Sequence, residues 1–84
     1  MNVEVLFFAS LRDVVGLARI SLQLPEPAGQ VELFAVLAER VSAMAMQALQ
    51  AENVRVAVNQ TLATPPFHYT DGDEIAFLPP ITGG

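Results

Sequence analysis

The chain of 84 residues contains no cysteine. That excludes a disulfide, a thiol nucleophile, a persulfide carrier and a thiolate metal site. Lysine is missing as well: the four basic residues are all arginines, Arg12, Arg19, Arg40 and Arg55. Without lysine the chain cannot be joined to copies of itself through side-chain isopeptide bonds, which argues against a polymerising tag. Positive charge is scarce altogether. The formal net charge of -5 repels phosphate backbones and anionic membrane surfaces, so neither nucleic acid nor membrane is expected as a partner. A protein with a basic pocket or rim is the better electrostatic match. No apolar run approaches the length of a membrane span, and Met1-Asn2-Val3-Glu4 lacks the basic region of a signal peptide. Together with the missing cysteine, this leads us to expect a cytoplasmic protein.

What remains is apolar. At 52% hydrophobic and 15% charged residues, the composition is that of a packed globular chain rather than a disordered one. The length allows one modest core, so residues 1–84 are expected to form a single domain. Residues 2–8 read as a strand with Val3, Val5 and Phe7 on one face and Glu4, Leu6 and Phe8 on the other. Ser10 is placed to cap a short helix over 11–15 that Gly16 closes. Residues 19–24 alternate cleanly, Ile20, Leu22 and Leu24 inward, and form a hairpin with the first strand around that helix.

After the breaker at 25–29 the period changes to that of a helix, with Val31, Phe34, Leu37, Ala38 and Val41 as its apolar stripe. Residues 42–52 continue as a second short helix or ordered turn, with Met44 and Met46 filling core gaps. Residues 54–58 alternate as a third strand. Asn59-Gln60 suits a turn, because Asn tolerates positive φ, and Thr61-Leu62 follows as a short edge strand. A proline-containing loop over 63–70 leads to the turn Asp71-Gly72-Asp73 and a last strand over 74–78, with Ile75 and Phe77 inward and Ala76 and Leu78 outward. His68, the one histidine, falls in the proline loop and reads as a surface residue rather than a catalytic one. Turn chemistry accounts for Asp71 and Asp73 beside Glu74 without a metal.

The element order strand, strand, helix, strand, short strand, strand is that of an α+β, β-grasp (ubiquitin-like) mixed sheet with one main helix on one face. The first and last strands are then parallel neighbours at the centre. Leu6, Phe8, Leu62 and Leu78 would gather on the face the helix leaves open, as a patch for a partner. Pro79-Pro80 ends strand pairing, since proline has no amide donor and biases the residue before it to extended geometry. Residues 79–84 are therefore expected to project as a tail. Gly83 and Gly84, with no Cβ, suit a channel too narrow for other residues.

The segments Val5-Leu6-Phe7-Phe8-Ala9 with Arg12 and Gly16, then Ala57-Val58-Asn59-Gln60-Thr61-Leu62, then Asp71 to Gly84 with its Phe77-Leu78-Pro79-Pro80-Ile81-Thr82-Gly83-Gly84 ending, carry a resemblance. The chain resembles the small, sulfur-carrying subunit of molybdopterin synthase, one of the ubiquitin-like sulfur carriers. Ile81 stands where that family commonly has valine. The resemblance implies that an adenylating (E1-like) enzyme uses ATP to activate the carboxylate of Gly84, and that a sulfur donor protein converts it to a thiocarboxylate. The tail Pro80, Ile81, Thr82 and Gly83 would thread into the large catalytic subunit, in an assembly of two small and two large subunits. Sulfur would pass there to cyclic pyranopterin monophosphate to form molybdopterin.

The resemblance also places Leu62 and Leu78 in the apolar partner contact, which Phe8 joins by its place on the same face, and pairs Arg12 with an acidic residue of the partner. It implies no permanently bound cofactor, no metal, and a chain that is not an enzyme by itself. Two alternatives stay open, a thiamine-pathway sulfur carrier and a ubiquitin-like protein modifier. The Phe7-Phe8-Ala9 start and the Pro79-Pro80-Ile81-Thr82 tail favour the molybdopterin carrier.

Overall fold

Alternation in the first strand decides which side of the sheet becomes the core. In the computed structural model, which describes residues 1–80, β1 (Asn2–Phe7) buries Val3, Val5 and Phe7 and leaves Glu4 and Leu6 half-covered on the opposite face. The elements that follow are α1 (Ala9–Val15), β2 (Arg19–Gln23), α2 (Gln30–Leu37), α3 (Ala43–Leu49), β3 (Arg55–Val58), β4 (Thr61–Ala63) and β5 (Glu74–Leu78). They form a five-stranded sheet in the order β2-β1-β5-β3-β4. β1 and β5 run parallel at its centre, with Val5 opposite Ile75 and Phe7 opposite Phe77. The other three pairings are antiparallel. This is the α+β, β-grasp architecture expected from the element order.

The core lies between the sheet and the helices. Phe77 stacks on Phe7 with ring centroids 6.1 Å apart, and Phe34 of α2 meets it from the helix side at 5.9 Å. Full burial of such side chains contributes about 1.5–3 kcal/mol each, so the parallel central pair is also the energetic centre. The loop before β5 is tied down too. Tyr69, buried and stacked on Phe67, donates its hydroxyl to Gln30 Oε1 at 2.5 Å, which fixes the 63–70 loop to the start of α2.

Helix phase departs from the sequence pattern. Leu33 and Leu37 are the buried residues of α2, Phe34 and Val36 flank them, and Val31 is 78% exposed with Ala38 exposed beyond the last turn. The cause is the helix entry. Gly29 N–H donates to Glu32 Oε1 at 2.7 Å, and a Cβ on Gly29 would come within 2.8 Å of the Phe67 carbonyl oxygen, so only glycine lets the loop and helix approach this closely. That contact, with the Tyr69–Gln30 hydrogen bond, holds the start of α2 against the 63–70 loop, a constraint that the apolar spacing does not contain.

Two smaller expectations also shift. The N-cap of α1 is Phe8, with no side-chain cap, and Ser10 lies inside the helix, because the chain turns directly off β1 at Ala9. Gly16 does close α1 at φ 86, its N–H donating to the Arg12 carbonyl. In α3, capped by Ser42 Oγ accepting from Ala45 N–H, Ala45 and Leu49 take the buried face. Met46 packs at its edge, whereas Met44 is 70% exposed and fills no core gap.

Candidate functional site

On the face the helices leave open, outward positions of β3 and β5 carry two alanines side by side. Ala57 and Ala76 are in register, and Leu62 of β4 lies opposite Ala57 on the other side. Small side chains at the middle of the strands and large ones around them make a depression. It is an apolar groove of about 860 Å³, floored by Ala57 and Ala76 and walled by Phe8, Leu62 and Leu78. Phe8 is 43% exposed and Leu62 60% exposed, more apolar surface than an isolated strand residue needs to present. Leu6 lies on the same face, opposite Ala76, but outside the groove wall.

Pro79 and Pro80 line the groove's end, both half-buried. Thus the chain leaves β5 at the groove's edge, and residues 79–80 rest against it. Ile81, Thr82, Gly83 and Gly84, the remainder of the expected tail, lie outside the described residues.

Arg12 is exposed on α1 and does not line the groove. The one ion pair among the described residues joins Arg19 Nε to Glu4 Oε1 at 2.9 Å, with the Ser21 hydroxyl also donating to Glu4. These hydrogen bonds, Ser21 first and Arg19 second, hold the Glu4 carboxyl below its usual range. His68 is exposed in its loop. Among the described residues no group of three His, Asp or Glu side chains is placed to hold a metal ion, and no helix is long and apolar enough to cross a membrane.

The hairpin that presents Leu62 is held by a polar clamp. Asn59 and Gln60 form its turn at φ 51 and 71, a left-handed geometry that Asn accepts most readily after glycine. The Asn59 amide donates to Asp73 Oδ1 at 2.9 Å and its oxygen accepts from Glu74 N–H at 3.0 Å. Asp73 also accepts from Thr70 N–H and from the Thr70 hydroxyl. One buried carboxylate therefore ties the β3–β4 turn to the start of β5.

Burial pushes the Asp73 carboxyl up, but the three hydrogen bonds outweigh it and leave it below the usual carboxylate range. Because the folded state favours the ionised form, this stabilisation is full above the unfolded-chain value and fades as pH falls through the lower folded value. Asp73→Ala is expected to cost about 1–3 kcal/mol in denaturant unfolding, through the donors left unpaired. Asp73→Asn should flatten the acid side of the stability profile. A variant profile parallel to wild type in acid would remove Asp73 from this role.

The groove floor and the Asp73 clamp were not singled out from sequence. A small residue at the outward position of two strands is a weak signal until register makes the two neighbours.

Comparison with known proteins places these features in a family. The ThiS family matches residues 5–84. A molybdopterin synthase sulfur carrier subunit of Escherichia coli (strain K12) is 38% identical over 85 residues, covering 98% of this chain and 99% of its own. That of Haemophilus influenzae (strain ATCC 51907 / DSM 11121 / KW20 / Rd) is 40% identical over 81 residues, covering 96% and 98%. Among solved structures, SAMP1 from Haloferax volcanii superposes with a TM-score of 0.83 at 22% identity over the whole of both chains, a likeness of fold. A complex of subunits 1 and 2 of molybdopterin-converting factor from Helicobacter pylori 26695 contains a chain that matches with a TM-score of 0.69 at 27% identity, again over the whole of both chains.

Proposed function

The chain belongs to the ThiS family, and on that premise we propose that it is the sulfur carrier subunit of a molybdopterin synthase. The observation that carries the reading is an apolar groove lined at its end by Pro79 and Pro80, the residues that precede Ile81-Thr82-Gly83-Gly84 in the sequence, in a chain alike over nearly its full length to carriers of that name. The groove docks the large catalytic subunit, in the manner of a chain whose Helicobacter pylori neighbour is found in complex with subunit 2. Phe8, Leu62 and Leu78 are its contacts, Arg12 adds an ion pair, and Pro80, Ile81, Thr82 and Gly83 thread the tail into the partner's site.

The chemistry then belongs to Gly84. A carboxylate is a poor acyl donor until it is turned into a mixed anhydride. An adenylating (E1-like) enzyme joins it to AMP from ATP with loss of pyrophosphate, and a sulfur donor protein displaces AMP to leave a thiocarboxylate. That group is ionised near neutrality and more nucleophilic than the carboxylate, so its sulfur bonds to cyclic pyranopterin monophosphate, and water then cleaves the carbonyl–sulfur bond to leave sulfur on the substrate and restore the Gly84 carboxylate. Every bond that this chain itself makes or breaks lies at its terminal carboxyl group, so on this reading the chain needs no base, metal or resident cofactor of its own and is not an enzyme alone. The working assembly is two small and two large subunits in the cytoplasm.

Mixing the sulfur-charged chain with the large subunit and cyclic pyranopterin monophosphate should yield molybdopterin. Sulfur delivered only to thiazole synthesis would favour the thiamine-pathway carrier. Gly84 found joined to lysines of other proteins, with no molybdopterin formed, would favour a protein modifier.

A further inference from the structure

The groove is not electrically neutral along its length. Arg55 and Glu74 both line it, on outward positions of neighbouring antiparallel strands. Arg55 lies opposite Leu78, and the Ala57–Ala76 pair separates it from Glu74 at the other end. Four residues of strand put the two positions roughly 13 Å apart along the sheet. The cation thus stands where the chain leaves β5 for Pro79, and the anion stands beside the Asn59 clamp.

Arg55 is exposed, and the one ion pair among the described residues is Arg19 with Glu4, so no carboxylate within them neutralises it. A protein that covers Leu78 must also cover its cross-strand neighbour. Taking a guanidinium out of water with no counter-charge is strongly unfavourable, and removing either member of a covered charge pair is costly for the same reason. The planar fork of arginine is suited to accept such a partner bidentately.

We propose that the large subunit presents a carboxylate to Arg55 at the root of the tail, so that Arg55 selects the partner and sets the direction in which it lies along the groove. Most of this chain's surface favours a basic partner, given its net charge of -5. An acid required at one spot within a basic surface is a more discriminating pattern than either charge alone. Glu74 at the opposite end then faces a basic group, and a partner docked in reverse would meet like charge at both ends. The inference rests on the reading that the groove docks the large subunit, and it goes beyond that reading in assigning the charge order.

The test is calorimetric binding of the large subunit from the same organism to wild type, Arg55→Gln, Arg55→Glu and Leu62→Asp, at low and high salt. Arg55→Gln should weaken binding on the order of 30-fold and Arg55→Glu by more. Both should lose part of the salt dependence that wild type displays, with thermal midpoints unchanged because the side chain is exposed. Leu62→Asp should weaken binding at both salt concentrations. A lysine replacing one large-subunit carboxylate should restore binding to Arg55→Glu. If both Arg55 variants bind as wild type does while Leu62→Asp fails, the charge assignment is wrong and the docking groove stands. If wild type itself does not bind, the functional reading falls and this inference with it.

Discussion

Deleting Gly84, or adding one residue after it, is expected to abolish sulfur transfer while leaving the fold untouched. The described residues offer no competing chemistry: the sequence has no cysteine, His68 stands alone in its loop, and Asp73 is occupied with Thr70 and Asn59. An adenylating site that reads a glycine carboxylate at the end of a narrow channel loses its reacting atom when the chain is one residue short. It meets a misplaced one when the chain is one residue long, and small misplacements of reacting groups cost orders of magnitude in rate. Molybdopterin formation with the large subunit, assayed for wild type and both variants, reads the effect. The core contacts of Phe7, Phe34 and Phe77 are made by residues that the change leaves intact, so the thermal midpoint should not move. A shortened chain that still supports molybdopterin formation would contradict the assignment of Gly84.

The second large effect is expected at Leu62. It is the most exposed large apolar side chain of the groove, at 60%, and sits on a short edge strand. Leu62→Asp therefore removes little buried surface from the free chain. In the complex it puts a carboxylate against an apolar contact, and loss of about 2 kcal/mol or more of binding, some 30-fold, is expected of a central anchor. Leu78→Asp should weaken binding by a similar factor but also lower stability, because Leu78 is half-buried on β5 beside the centre of the sheet. Gel filtration or calorimetry with the large subunit separates the two. Undiminished affinity of Leu62→Asp would move the docking surface elsewhere.

Much of the fold was legible because strand alternation is a local property. Val3, Val5 and Phe7, and Ile75 and Phe77, point inward as their spacing demands, and Asn59-Gln60 adopts the positive φ that their turn requires. The tight turn at Gly72, φ 87, follows from Asp71-Gly72-Asp73 in the same way. Helix phase was not legible. Leu33 and Leu37 are buried where Val31 is exposed, and the start of α2 is held against Phe67, 38 residues beyond Gly29 in the chain, a contact that no local spacing contains. Met44 and Met46 differ likewise because α3 turns only one narrow face to the core.

The same distinction applies to the site. Phe8, Leu62 and Leu78 could be assigned to one face from alternation together with the element order, and the structure brings them around one groove. That Leu6 falls outside the groove, that Ala57 and Ala76 form its floor, and that Arg55 sits beside Leu78 depend on register between strands distant in sequence. Register is fixed by the whole sheet, including the Asn59 to Asp73 clamp, and no local pattern carries it.

The central claim is that this chain carries sulfur on the carbonyl of Gly84, and intact-mass measurement tests it most directly. The purified chain is incubated with the adenylating enzyme, ATP and a sulfur donor, and its mass is read before and after, with fragmentation to place the change. The account predicts a gain equal to the replacement of one oxygen by one sulfur, confined to the fragment ending in Gly84 and absent when ATP is withheld. An unchanged mass under these conditions, or sulfur located anywhere else in the chain, would contradict it.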